Sequence, residues 1–302
     1  MNRLQKIILL AILAITCAAW FYNGRNRGPR ELRVTVLDVG QGDSILVETP
    51  DHHSMLIDGG GVNGDREVDT HNIGMKTVIP YLHYRGIDRL DIVALTHPHS
   101  DHAGGLASVV NEMKVDSVLD GTTVDYTDAS YTAFMDAIRA QGIPYKHAAR
   151  GAHIDFGDGV TADVLNPPAS GTPYGIDKTD KVINNYSAVI RLTYGKTHFM
   201  LDGDAESEAE QSMIESGDPV DADVLKCGHH GSNNASSDAW LDRVHPKFAA
   251  ISCGRHNHFG HPGAETMARL TSHGIRIFRT DKDGAIVFES DGNTVTAFKT
   301  IE

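Results

Sequence analysis

A chain of 302 residues can bury one large core, or one core with decorations. Its 40% hydrophobic and 22% charged residues are ordinary for a globular protein, and three cysteines exclude a disulfide-stapled scaffold. A formal net charge of −13 argues against tight non-specific binding to nucleic acid, but bound cations can reverse the field inside a cleft, so a nuclease is not excluded.

In chain order, Arg3 and Lys6 precede an uncharged, mostly apolar run over 7–22. That run is shorter than a full membrane span, so residues 1–22 are expected to be a signal peptide or an N-terminal membrane anchor, the chain's one point of membrane contact. The remainder is then extracytoplasmic: periplasmic, secreted, or held at the outer face of the cytoplasmic membrane. A polar linker covers 23–31, and 32–302 reads as one domain without repeats.

Alternation and β-branched residues predict a strand over 32–39. An Asp- and Gly-rich turn at 38–44 leads to strands over 45–48 and 54–57, the latter closed by Asp58-Gly59-Gly60-Gly61. A helix is expected over 75–85, kinked at Pro80. A short apolar strand, 91–95, runs into a histidine cluster, and a helix over 103–113 follows. A strand at 115–119, a helix at 131–141 and two short strands within 153–166 come next, then a Pro- and Gly-rich loop, 167–180. The hairpin 186–193 with 197–201 opens a second series: helix 205–215, strand 222–226, helix 237–244, strand 248–252, helix 264–272 and strand 276–278. A hairpin, 285–289 with 294–299, closes the chain. A meander followed by β/α units, twice over, suits an α/β (α+β) fold of two mixed β-sheets packed together and flanked by helices.

The strongest chemical signal is His97-Pro98-His99-Ser100-Asp101-His102. Three imidazoles and a carboxylate so close together cannot all be ordinary core, because each would need a polar partner if buried. These side chains suit zinc or manganese. A loop leaving a strand lets His97 and His99 face one ion, and the start of the next helix turns Asp101 and His102 toward another. The bland alternative is a solvated histidine-rich loop. A two-ion site needs more ligands, one of them bridging. The segment Leu201-Asp202-Gly203-Asp204 supplies carboxylates at one strand end, and Gly228-His229-His230-Gly231-Ser232 supplies imidazoles at another. Cys227 reads as a small buried residue, Asp38 and Asp43 as turn residues, and His256 and His258 as solvated loop.

Together with Asp38-Val39-Gly40-Gln41-Gly42-Asp43-Ser44, Leu56-Ile57-Asp58-Gly59-Gly60, Asn184-Asn185-Tyr186-Ser187-Ala188-Val189 and Gly260-His261-Pro262, these motifs resemble the metallo-β-lactamase superfamily. Within it, they resemble the hydrolase domain of the DNA-uptake competence protein ComEC and its stand-alone relatives. The resemblance runs from about residue 32 to about residue 288, in the family's order. It implies a metallo-β-lactamase αββα sandwich with two divalent ions, Zn2+ or Mn2+, at the edge between the sheets. It implies His97, His99, Asp101 and His102 as ligands, Asp204 as the bridging carboxylate, and His230 rather than His229 as the late histidine ligand. Asp58 is expected to orient a ligand ring from behind. Asn185, His229 and His261 are expected to contact phosphate, and Asp101, Asp204 and His229 to serve catalysis. Many relatives carry one more histidine between the first cluster and the bridging Asp; here Asn184-Asn185 holds that place, leaving the first ion short of an imidazole. The implied function is an exported phosphodiesterase or nuclease acting on DNA or other phosphodiesters through a metal-activated water. The alternatives are an esterase of small or envelope-linked phosphodiesters, resembling phosphorylcholine esterases, and a non-catalytic binding module.

Overall fold

The chain lays down one pattern twice, an antiparallel meander and then parallel strands joined by helices. In the computed structural model, which describes residues 31–61 and 72–301, the first pass forms β1 (Leu32–Val36), β2 (Ile45–Glu48), β3 (Ser54–Ile57), β4 (Arg89–Leu95), β5 (Lys114–Asp120) and β6 (Tyr145–His147). The second forms β7 (His153–Asp155), β8 (Val160–Asn166), β9 (Val189–Tyr194), β10 (Thr197–Leu201), β11 (Val224–Lys226), β12 (Phe248–Ile251) and β13 (Arg276–Arg279). A last hairpin, β14 (Ile286–Ser290) and β15 (Val295–Lys299), returns to the first sheet, where β14 pairs antiparallel with β1. The first sheet runs β15-β14-β1-β2-β3-β4-β5-β6 and the second β13-β12-β11-β10-β9-β8-β7. β3 to β6 are parallel in one sheet, and β10 to β13 in the other.

Strand periodicity divides the core into layers. Ile45 and Val47 face the opposing sheet, where they join Val164, Ile190 and Phe199, while Leu46 between them faces outward. Leu46 and Leu56 meet Val109 and Phe134 from the helices Leu106–Glu112 and Ala129–Gln141. On the other side Met200 and Leu225 pack under Met213 and Trp240 from the helices Ser207–Ser216 and Asp238–Val244. The result is the metallo-β-lactamase αββα sandwich. Because both faces of each central strand are covered, the strands read as continuous apolar runs.

Three local features differ from expectation. The helix expected over 103–113 begins earlier, as Ser100–Ala103, and breaks at Gly104-Gly105 before Leu106–Glu112. The break lets the turn after β3 dock: a Cβ on Gly105 would sit 2.2 Å from Gly59 O, and one on Gly61 would sit 1.9 Å from Ser100 O. The kink at Pro80 takes the form of a π-helical turn, Gly74–Val78, feeding an α-helix, Ile79–Tyr84, whose first turn has no use for the missing N–H. A short helix, Asp180–Asn185, follows the Pro- and Gly-rich loop. The leader or anchor over 1–22, and the linker up to residue 30, lie outside the described residues. Among the described residues no helix is long and apolar enough to cross a membrane.

Candidate metal centre

The parallel strands of both sheets end at one edge, which is where open α/β sheets place their sites. β3 ends at Asp58, β4 at the cluster starting with His97, β10 at Asp202-Gly203-Asp204 and β11 at Lys226 and the His229-His230 turn. Asp58 sits in the left-handed region, at φ 59, which turns its carboxylate back under β4. Its Oδ1 accepts the Thr96 N–H at 2.8 Å, and its Oδ2 accepts the Thr96 hydroxyl at 2.8 Å and lies 2.7 Å from His102 Nδ1. Asp58 thus fixes the His102 ring with Nε2 facing inward. Burial opposes charge on that ring, but Asp204 and Asp58 outweigh it and hold His102 well above the usual histidine range.

Asp204 is the hub. Its N–H donates to Ser187 Oγ at 3.1 Å. Its Oδ1 lies 3.3 Å from His102 Nε2, and its Oδ2 lies 3.5, 3.8 and 3.9 Å from the Nε2 atoms of His230, His229 and His97. Burial would raise its pKa, but the His230 and His102 imidazoles hold it well below the usual carboxylate range. His97 Nε2 is 3.0 Å from His99 Nδ1, so one nitrogen of each ring faces the same point. Burial above all keeps both rings below the usual histidine range and therefore neutral, with a lone pair free to ligate.

His230 enters from the second sheet. Its Nδ1 is 3.0 Å from Ser252 O and 3.4 Å from Asp43 Oδ1, and its Nε2 is 3.2 Å from Asp101 Oδ2. Burial disfavours its charge, yet Asp204 and Asp101 push it up to about 10. Asp43 does more than form a turn. It pairs at 2.7 Å with Lys226, and both side chains are almost wholly buried. Asp43, His102, Asp204 and His230 each offer a ligand atom within 4.8 Å of the others.

These residues fit divalent ions. His102 Nε2 and Asp204 Oδ1, both buried, face each other at 3.3 Å without forming a well-aligned hydrogen bond and have no other partner among the described residues. Each such orphan costs about 1–3 kcal/mol, so a cluster of them persists where something else satisfies it. The imidazole and carboxylate donor set matches zinc and manganese.

A sequence profile described as Metallo-beta-lactamase superfamily matches residues 37–161. The chain is 32% identical over 267 residues to ComE operon protein 3 of Bacillus subtilis, covering 85% of this chain and 33% of that protein. Residues 37–161 thus match the metallo-β-lactamase superfamily, and the fold is that superfamily's sandwich. It is also 31% identical over 259 residues to Competence protein ComA of Neisseria gonorrhoeae, covering 85% of this chain and 32% of that protein. It thus spans about a third of the length of the curated relatives it matches. Among solved structures it superposes on CmlA, a diiron β-hydroxylase from Streptomyces venezuelae, with a TM-score of 0.51 at 14% identity, covering 83% of this chain and 53% of that one. That likeness concerns the fold alone, and the fold hosts more than one chemistry.

The remaining residues divide into those that reach the cluster and those that do not. His229 reaches it, with φ 43, its Nδ1 2.8 Å from Glu206 Oε1 and its ring 5.2 Å from that of His261. His261 stands at the open side, with Nδ1 3.5 Å from Gln41 Nε2; burial, then His229 and His230, push its pKa down to about 4. Asn185 is turned away. Its Oδ1 accepts the Glu206 and Ala209 N–H groups at the start of the Ser207–Ser216 helix, and its Nδ2 donates to Lys181 O and Glu208 Oε2. That leaves it no donor for the phosphate contact expected of it; the amide that faces the cluster is Asn184, whose Nδ2 is 3.3 Å from His229 Nδ1. Asp202 also points elsewhere, accepting the Trp240 indole N–H at 2.9 Å. Cys227 and Cys253 are free, buried thiols, and burial pushes Cys227 up to about 12, far from a ligand thiolate. His256 and His258 are exposed.

Proposed function

We propose that this chain is an extracytoplasmic, metal-dependent phosphodiesterase, a nuclease acting on DNA or a related phosphodiester. The observation that carries the reading is the Asp204 carboxylate, buried and ringed by four imidazole Nε2 atoms within 3.9 Å. Zn2+ or Mn2+ bound there supplies Lewis acidity, making water a nucleophile near neutral pH and offsetting the charge of a phosphodiester.

The chain's own residues supply position and proton handling. His97, His99, Asp101, His102, Asp204 and His230 form the ligand set, with Asp58, Ser252 O and the Asp43–Lys226 pair fixing two of the rings from behind. Asp101 and Asp204, both charged, accept a hydrogen bond from the attacking water and aim it. His261, neutral and at the open side, donates to a phosphoryl oxygen without adding a charge that must be desolvated. Similarity to a relative named as a competence protein, together with the motifs' resemblance to the hydrolase domain of a DNA-uptake protein, supports DNA as the substrate. The net charge of −13 favours a second reading, an esterase of small or envelope-linked phosphodiesters, since a long polyanion would be repelled except at the ions themselves.

The test is purified protein with Mn2+ or Zn2+ on DNA, RNA and bis-p-nitrophenyl phosphate, with metal content measured alongside. Turnover of the small diester alone moves the assignment to the second reading. No turnover on any substrate, with metal bound, overturns both.

A further inference from the structure

The two halves of the ligand set are unequally supplied. Asp101, His102 and His230 converge with Asp204 on one side. On the other side His97 Nε2 lies 3.9 Å from Asp204 Oδ2 with His99 Nδ1 3.0 Å from that nitrogen, and the segment that passes behind them offers Ser187 Oγ, at 3.3 Å from His97 Nδ1, in place of an imidazole.

His229 has the geometry of the missing group. Its Nε2 lies 3.8 Å from Asp204 Oδ2, an oxygen shared with His97 Nε2 at 3.9 Å and His230 Nε2 at 3.5 Å; His230 is drawn to the opposite side by Asp101 at 3.2 Å. Its other nitrogen is tied from behind by a buried carboxylate, with Nδ1 2.8 Å from Glu206 Oε1, a closer partner than the Asn184 amide nitrogen at 3.3 Å. His102 and His230 are held in the same way, Nδ1 to Asp58 Oδ2 at 2.7 Å and Nδ1 to Ser252 O at 3.0 Å. An oxygen acceptor behind Nδ1 keeps the proton on that side and leaves the Nε2 lone pair facing forward, the arrangement of a ligating imidazole. A ring meant to donate a hydrogen bond to phosphate would need its Nε2 protonated instead. Two successive left-handed residues, His229 at φ 43 and His230 at φ 53, bring both rings onto one carboxylate.

We infer that His229 is the third imidazole of the first metal position, with Glu206 as its positioning residue, and not a contact for substrate phosphate. The inference rests on the dinuclear reading above.

The test titrates metal-free wild type, His229→Ala, His230→Ala and Glu206→Gln with Co2+, following visible absorption and bound metal after gel filtration, with circular dichroism to check folding. Wild type should take up two equivalents. His229→Ala should keep one, His230→Ala should lose the other, and Glu206→Gln should keep both with the weaker bound roughly 10–100-fold less tightly. His229→Ala that binds as wild type does, in number and affinity, overturns the inference. Should that variant not fold, Glu206→Gln decides: unchanged affinity for both equivalents overturns it. Wild type that binds no metal overturns the dinuclear reading itself, a result distinct from either.

Discussion

His102 and His230 are 0% and 1% exposed, and each ring is fixed from behind by an atom that is itself held by the fold. Across the same carboxylate His99 is 16% and His229 25% exposed, and the anchor of His99 is Asp180, 3.6 Å away and 92% exposed. One flank is thus set in the sandwich and the other is assembled from loop residues at its rim. Under the dinuclear reading proposed above, the difference would separate two tasks: a rigid flank would keep its ion in place, whereas an accessible flank would admit substrate and exchange its ion more readily.

The largest expected effect removes what the flanks share. Asp204→Ala should bring activity to background and remove both metal equivalents, read by elemental analysis and diester turnover together. Next, Lys226→Met leaves Asp43 charged and buried with its lysine partner gone and only His230, at 3.4 Å, beside it, and should cost about 3–5 kcal/mol in urea denaturation. Pairing it with Asp43→Asn should restore much of that loss, and a double variant no more stable than Lys226→Met would mean the pair acts otherwise. Asp58→Asn should weaken only the rigid flank, by about 10–100-fold in metal affinity, and equal weakening on both flanks would erase the contrast.

The smallest effect concerns the rim. His261 has a pKa of about 4 in the fold, below the unfolded value of about 6.5. The unfolded chain therefore binds the proton first, and the His261 contribution to stability falls as pH drops from about 6.5 toward 4. His261→Asn should lose less stability than wild type between pH 7 and pH 5, measured as the shift in urea midpoint.

Much of this contrast was legible in the sequence, and the exceptions have physical reasons. Strands 45–48 and 54–57 and the helix 264–272 match β2, β3 and Ala264–Ser272 because apolar periodicity and turn residues agree there. β6 was missed: Tyr145-Lys146-His147 is a largely exposed edge strand with no alternating apolar face. The helix Asp180–Asn185 was missed because it is short and polar at its start, and missing it hid which asparagine faces the cluster. Successive residues on a helix point about 100° apart, so Asn184 and Asn185 cannot both face it. Glu206 and Lys226 act through long-range pairing. A lone lysine closing an apolar strand was the only local trace of the Asp43 contact, and Glu206 had none beyond its closeness to Asp204.

The pairing of β14 with β1 sets the order in which the chain can finish folding. Leu32–Val36 precedes every other described strand, yet one of its two hydrogen-bonding edges is filled only when Ile286–Ser290 has been synthesised. Until then a nascent chain carries an open apolar strand edge, a template for the wrong partner. The turn that leaves β1 carries Asp43, the residue that meets Lys226 and His230. The edge of β1 beside that turn therefore waits on a strand that follows the whole second sheet in sequence.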